Sequence, residues 1–142
     1  MEKYREIKID GGFASAKVTF YRDGIYVVEG RAWSNSKLRG VKASVFFVGL
    51  DKKHRAVFVS EKFDIPTACS TLDACSSDTR KSFNGTIDHR LASHIEGINI
   101  YLNSRGEIGG YRESIVRTVR EAYKTCDDIS QELKTSIKDS IL

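Results

Sequence analysis

The feature that most constrains this chain is a change of hydrophobic period partway along it. Up to about residue 103, apolar side chains alternate with polar ones or form short β-branched and aromatic runs. From residue 111 they recur every three or four positions. A period of two marks a half-buried strand, and a period near 3.6 marks an amphipathic helix. The expected fold class is therefore mainly β with one long C-terminal α-helix. It is an antiparallel β-sandwich or partly open barrel over residues 1–108, followed by a C-terminal amphipathic helix over 109–142 that is part of the same domain. A chain of 142 residues suits a single domain and buries about 68–70% of its unfolded surface, so it needs no metal or disulfide merely to fold.

The strand region divides at turn signals. Ile7 and Ile9 fall on one face of a first strand, and Gly11-Gly12 ends it. Ala16, Val18 and Phe20 alternate with Lys17, Thr19 and Tyr21, and Asp23-Gly24 is a favoured hairpin dipeptide. Val41–Leu50 contains Val45-Phe46-Phe47-Val48, an unbroken apolar run that suits a central strand covered on both faces. A return strand over 55–63 is closed by Pro66, which cannot donate to a ladder. After a small-residue loop over 67–79, strands are expected over 81–88 and 95–103. The expected core comprises Ile7, Ile9, Val18, Phe20, Val27, Val45, Phe47, Phe58, Phe83, Ile98, Ile100 and Leu102.

Gly109-Gly110 is read as the stop of the strand region and 111–141 as one helix. Ile115, Val119, Ala122, Cys126, Ile129 and Leu133 follow an a/d spacing for nearly three heptads. Such a stripe faces either the domain's own sheet or a partner helix. A helix of ~30 residues is about 45 Å long and would outrun a small sandwich. Docking on the sheet and pairing between subunits are therefore both carried forward as uses of this interaction helix.

Four constellations bear on chemistry. Cys69 and Cys75 bracket a short loop and are a candidate disulfide in an oxidising compartment. With His89 and His94 they form C-x5-C-x13-H-x4-H, a donor set suited to tetrahedral zinc but without the spacing of a zinc finger. No metal is therefore expected, with those four residues as the fallback candidates. Arg105 and Arg112 flank the glycine-rich stretch 106–110 and are candidate anion contacts at a helix start, although the P-loop ending is missing. His54, His89 and His94 have acidic or hydroxyl neighbours in sequence, yet no nucleophile elbow, zincin helix or kinase motif is present. No catalytic residue and no cofactor are expected.

The net charge of +4 lies within residues 1–108, while 109–142 are balanced. Arg31, Arg80, Lys81 and other cations, interleaved with Tyr21, Tyr26, Trp33 and Tyr101, would suit a nucleic-acid or anion binder, although no RNA- or DNA-binding signature accompanies them. No stretch approaches a membrane span, and residues 1–6 are charged, which gives a cytoplasmic default or an extracytoplasmic site if a signal has been removed.

The run Gly30-Arg31-Ala32-Trp33-Ser34-Asn35, a long apolar strand ending at Leu50-Asp51, and a return strand resemble the layout of immunoglobulin-like bacterial accessory domains over about residues 24–102. That resemblance implies a sandwich fold and no activity. The expected function is a small non-enzymatic binding or protein-interaction domain, its partner a protein or a second copy of itself. A nucleic-acid or anion binder ranks second, and a metal protein or enzyme centred on Cys69–His94 third.

Overall fold

The computed structural model describes residues 1–124 and 128–141. In chain order the strands are β1 (Glu2–Ile9), β2 (Gly12–Phe20), β3 (Ile25–Ser34), β4 (Ala43–Leu50), β5 (Ala56–Val59), β6 (Phe63–Asp64), β7 (Asp78–Thr86) and β8 (Gly97–Ser104). The helices are α1 (His89–Ala92), α2 (Arg105–Lys124) and α3 (Gln131–Ile141). The chain is mainly antiparallel β, arranged as two sheets.

The first sheet has the order β1-β2-β3-β7. Its two leading hairpins turn at Gly11 and Gly24, which have φ of 91° and 93°. That left-handed backbone is open to glycine at little steric cost. At Gly24 a side chain would also meet the Ile87 carbonyl oxygen, 2.3 Å from the position of a Cβ. The face turned to the core carries Ala14, Ala16, Val18 and Phe20 from β2 and Tyr26, Val28 and Ala32 from β3, all buried. Val27 belongs to the opposite face and is half-buried. The inward set of β3 is thus the even-numbered one, a one-residue difference in phase from the expected core that moves every side chain across the sheet.

The second sheet is built on β4. β8 pairs with it along its whole length, and β5 and β6 share its other edge. Every residue from Ala43 to Gly49 is buried. Val45 and Phe47, with their β8 partners Leu102 and Ile100, face the first sheet, where the Phe47 ring meets Tyr26 edge-on at 4.9 Å. Phe46 and Val48 point the other way, and Phe46 stacks on Tyr101 at 4.9 Å.

That second side is covered by α2. Ile108, Val116, Val119 and Tyr123 are buried along it, each contributing roughly 1.5–3 kcal/mol if fully removed from water. Three side chains then fasten the helix to backbone carbonyls of the β5–β6 segment. Arg105 Nη2 donates to Ile65 O at 2.7 Å, Arg112 Nε to Ser60 O at 2.7 Å, and Tyr123 Oη to Ala56 O at 2.5 Å. As α2 advances, its partners fall from 65 to 56, so the helix runs antiparallel to that segment.

The single C-terminal helix expected from the sequence is therefore two helices, and the first is a structural layer of the domain. It begins at Arg105, so Gly106, Gly109 and Gly110 lie within its first turns. Burial of Ile108 to 1% exposure, and the hydrogen bond from Arg105 N to Lys42 O, outweigh the weak helix propensity of glycine there. Asp128, Ile129 and Ser130 are non-helical and separate α3 from α2. Ser130 restarts the helix by accepting the Leu133 N–H at its hydroxyl. The expected strand 55–63 is likewise interrupted, with β5 and β6 separate. No helix among the described residues is long and apolar enough to cross a membrane.

Replacing Phe47 with Ala should reduce unfolding free energy by about 3–5 kcal/mol, read from urea denaturation. A loss under 1 kcal/mol would mean that β4 is not the shared core strand described here.

Candidate functional site

The two sheets meet differently on their two sides. On one side β1 approaches β8, and Arg5 Nη1 donates to Ile100 O at 2.6 Å. On the other, β7 and the β5–β6 edge are joined only at one end. There Phe63 packs on Phe83 at 4.9 Å, Thr79 Oγ1 donates to Pro66 O, and Ile65 lies over Gly30. Towards the Thr86 end that side stays open, and α3 arches across it. The result is a cleft of about 590 Å³, within the ordinary range for a ligand site.

The floor of the cleft is Tyr26. Its ring lies directly across the ladder from Gly85, where a Cβ would sit 2.3 Å from the phenol oxygen, so only glycine leaves room for it. Tyr26 is 5% exposed, and its hydroxyl has no hydrogen-bond partner among the described residues. Burial, and behind it the charge of Glu61, push the phenol above its ordinary value, so it remains a proton donor. Ser136 lines the cleft from α3 at 7% exposure and is also without a hydrogen bond among the described residues. Its helical neighbours behave otherwise, since Thr135 and Ser140 donate back to Gln131 O and Ile137 O.

The charged lining divides into paired and unpaired groups. Arg90 is engaged by Asp88 and by Glu132. The Asp88 carboxylate accepts the Arg90 backbone N–H at the start of α1 and is held below its usual range by that bond and by the guanidinium. Arg112, Glu61 and Asp139 have no ion pair among the described residues. Arg112 spends only Nε on Ser60 O, leaving its other N–H groups for the cleft.

The candidate residues from the sequence are distributed as follows. Arg112 lines this cleft. Arg105 stands apart at the far end of α2, bonded to Ile65 O and 3.8 Å from Asp64. Cys69 and Cys75 are joined by a disulfide with Cα atoms 5.8 Å apart. His89 and His94 follow β7 while the cysteines precede it, a separation of roughly 30 Å of strand. The four residues considered for zinc are therefore not brought together, and no cluster of three or more metal-donor side chains occurs among the described residues.

On the expected seam, Val119 and Ile129 are buried, Ile115 and Leu133 half-buried, and Ala122 exposed. Cys126 lies outside the described residues. The basic residues do not share one face. Arg31 pairs with Asp78 and covers Trp33 on the outer side of the first sheet, Arg39 pairs with Asp10, and Lys53 and Arg55 pair with Asp128.

Glu61, Ser136 and Asp139 were not singled out by the sequence, and Tyr26 was named only among the aromatics interleaved with the basic residues. An alternating strand carrying Tyr26 opposite a glycine was the only available signal, and the pairing of β3 with β7 is invisible until the strands are ordered.

A second cavity of about 580 Å³ lies beside the β4–β5 turn, and four of its charged side chains, Asp51, Lys53, Arg55 and Asp128, pair with one another. Asp51 accepts the backbone N–H groups of Lys53 and Arg55 and the Arg55 Nε, each at 2.9 Å. Arg55 and Lys53 reach on to Asp128. This network ties the turn to the segment before α3 and so fixes where α3 begins.

No protein-family model, curated protein or solved structure matches this chain.

Burial raises the Asp51 carboxyl, and the Arg55 backbone N–H, the Arg55 guanidinium and the Lys53 N–H together outweigh it, holding Asp51 below its ordinary range. A depressed folded-state value stabilises the protein above the unfolded value of about 3.9, and that contribution is lost as pH falls through the folded value. Asp51→Asn should therefore cost about 1–3 kcal/mol at pH 7. The difference from wild type should shrink below pH 4, as followed by denaturant melts at several pH values.

Proposed function

We propose that this chain is a non-catalytic binding domain whose ligand seat is the cleft between β7, β5 and α3. The observation that carries the reading is the cleft of about 590 Å³ itself, onto which the Tyr26 and Ser136 hydroxyls open without a hydrogen bond among the described residues. For the packing against Phe47, Phe58 and Gly85 alone a phenylalanine would serve equally well, which leaves the hydroxyl available to a ligand in the cleft.

The lining favours binding over catalysis. His54 lies in the β4–β5 turn, the His89 side chain is 83% exposed, and His94 borders the other cavity. Arginines, carboxylates and hydroxyls line the cleft, and among the described residues no nucleophile there is hydrogen-bonded to a base. Of the two uses considered for the interaction helix, docking on its own sheet is favoured by the burial of Val119 and Ile129.

The test is a thermal-shift screen of amino acids, sugars, nucleotides and small organic acids and amines against wild type and Tyr26→Phe. At least one compound should raise the wild-type melting temperature and raise that of the variant by less. Stabilisation that is equal in both proteins, or absent throughout, would refute the cleft as the seat.

A further inference from the structure

From the open edge of β7 we infer that two copies of this chain pair there, antiparallel about a two-fold axis at Phe83, so that their four-stranded sheets join into one.

The hydrogen-bond phase of the strand comes first. β7 ends the first sheet, with β3 on one side and no strand on the other among the described residues. Ser34 N donates to Ser77 O and Ile87 N to Gly24 O, so the odd-numbered residues of β7 turn their backbone groups towards β3. The even-numbered ones turn theirs outward. Asp78 is closed off, because the Ser76 hydroxyl accepts its N–H and donates to its carbonyl. Arg80, Ser82, Asn84 and Thr86 remain. All four are exposed, and their N–H and C=O groups have no partner among the described residues. Such a row is a template for a further strand.

The row then selects its register. With Phe83 opposite Phe83, Arg80 meets Thr86 of the second copy and Ser82 meets Asn84. Every outward residue of one copy faces an outward residue of the other, so all the free N–H groups find carbonyls. Sliding the copies by two residues to set Ser82 on Ser82 places Thr86 against the closed Asp78 and brings the two Lys81 side chains into a diagonal pair. Sliding the other way carries Arg80 past Thr86, where the strand ends.

The side chains agree with the register centred on Phe83. Cations on an edge strand commonly repel a neighbour. Here Arg80 stands opposite a threonine and Lys81 opposite Gly85, and the two Lys81 residues are offset by roughly 13 Å along the strands. The two Phe83 rings make a cross-strand aromatic pair at the axis. Gly85 is the position whose side-chain space the Tyr26 phenol fills. The partner's Lys81 is therefore set beside Tyr26, and each copy contributes a cation to the cleft of the other. An isologous contact of this kind closes at two copies.

The experiment is light scattering behind a sizing column over a dilution series, on wild type, Ser82→Pro, Thr86→Arg and Thr86→Glu. Wild type should run as a dimer that dissociates on dilution. The Ser82 N–H faces away from β3, so proline there removes no bond within one copy and blocks the contact between two. That variant should be a monomer with the circular dichroism of wild type. Position 86 is exposed and faces the partner's Arg80 twice per dimer. Thr86→Arg should weaken the dimer about threefold to tenfold, and Thr86→Glu should tighten it by a similar factor.

A wild type that is monomeric throughout the series overturns the proposal, as does a dimer that Ser82→Pro leaves intact. If Ser82→Pro fails to fold, the Thr86 pair decides. Opposite shifts support the register, and shifts in the same direction, or none, overturn it. These results do not depend on what the cleft binds.

Discussion

The burial of β4 on both faces is the constraint on which the rest of this structure depends. Seven consecutive residues, Ala43–Gly49, have no side open to water. One face is met by the first sheet, through Tyr26 on Phe47. The other must be covered by something, and the two-sheet sandwich has nothing left to supply. The apolar side of α2 fills that role, which makes the helix a third layer. Its fastening to the backbone of the 56–65 segment by Arg105, Arg112 and Tyr123 fixes its direction as well as its distance.

The cleft follows from the same arrangement. Once α2 lies along the β5–β6 edge, the chain returns as α3 across the open side of the sandwich, held there by the Asp128 contacts to Lys53 and Arg55 and by Glu132 on Arg90. The gap between β7 and β5 becomes a walled cavity with Tyr26 beneath and Ser136 above. The Tyr26 and Ser136 hydroxyls thereby share one cavity with Arg112, Glu61 and Asp139.

Much of the fold was legible in the chain because strands with one wet face write their period into the sequence. The Asp23-Gly24 hairpin, the apolar β4 run and the alternation of Ile98, Ile100 and Leu102 are all of this kind. The misreadings occur where tertiary contacts overrule local pattern. Val27 and Val28 are equally apolar, and only the packing on Phe47 and Phe58 decides that Tyr26 and Val28 turn inward. The start of α2 was hidden by its glycines, and its separation from α3 by a heptad pattern that continues through a structural break. The cleft was less legible still. Tyr26, Glu61, Arg112 and Ser136 lie far apart in sequence and meet only through strand order and helix placement, neither of which a hydrophobic period encodes.

The claim at the centre of this account is that α2 belongs to the core and stands or falls with β4. Native-state hydrogen exchange measures that directly. The account predicts that the amides of β4 and β8 and those on the buried side of α2, around Val116 and Val119, exchange together and most slowly, at the free energy of global unfolding. Rapid exchange throughout α2 while β4 stays protected would contradict it, and would show a helix resting on a sandwich that is complete without it.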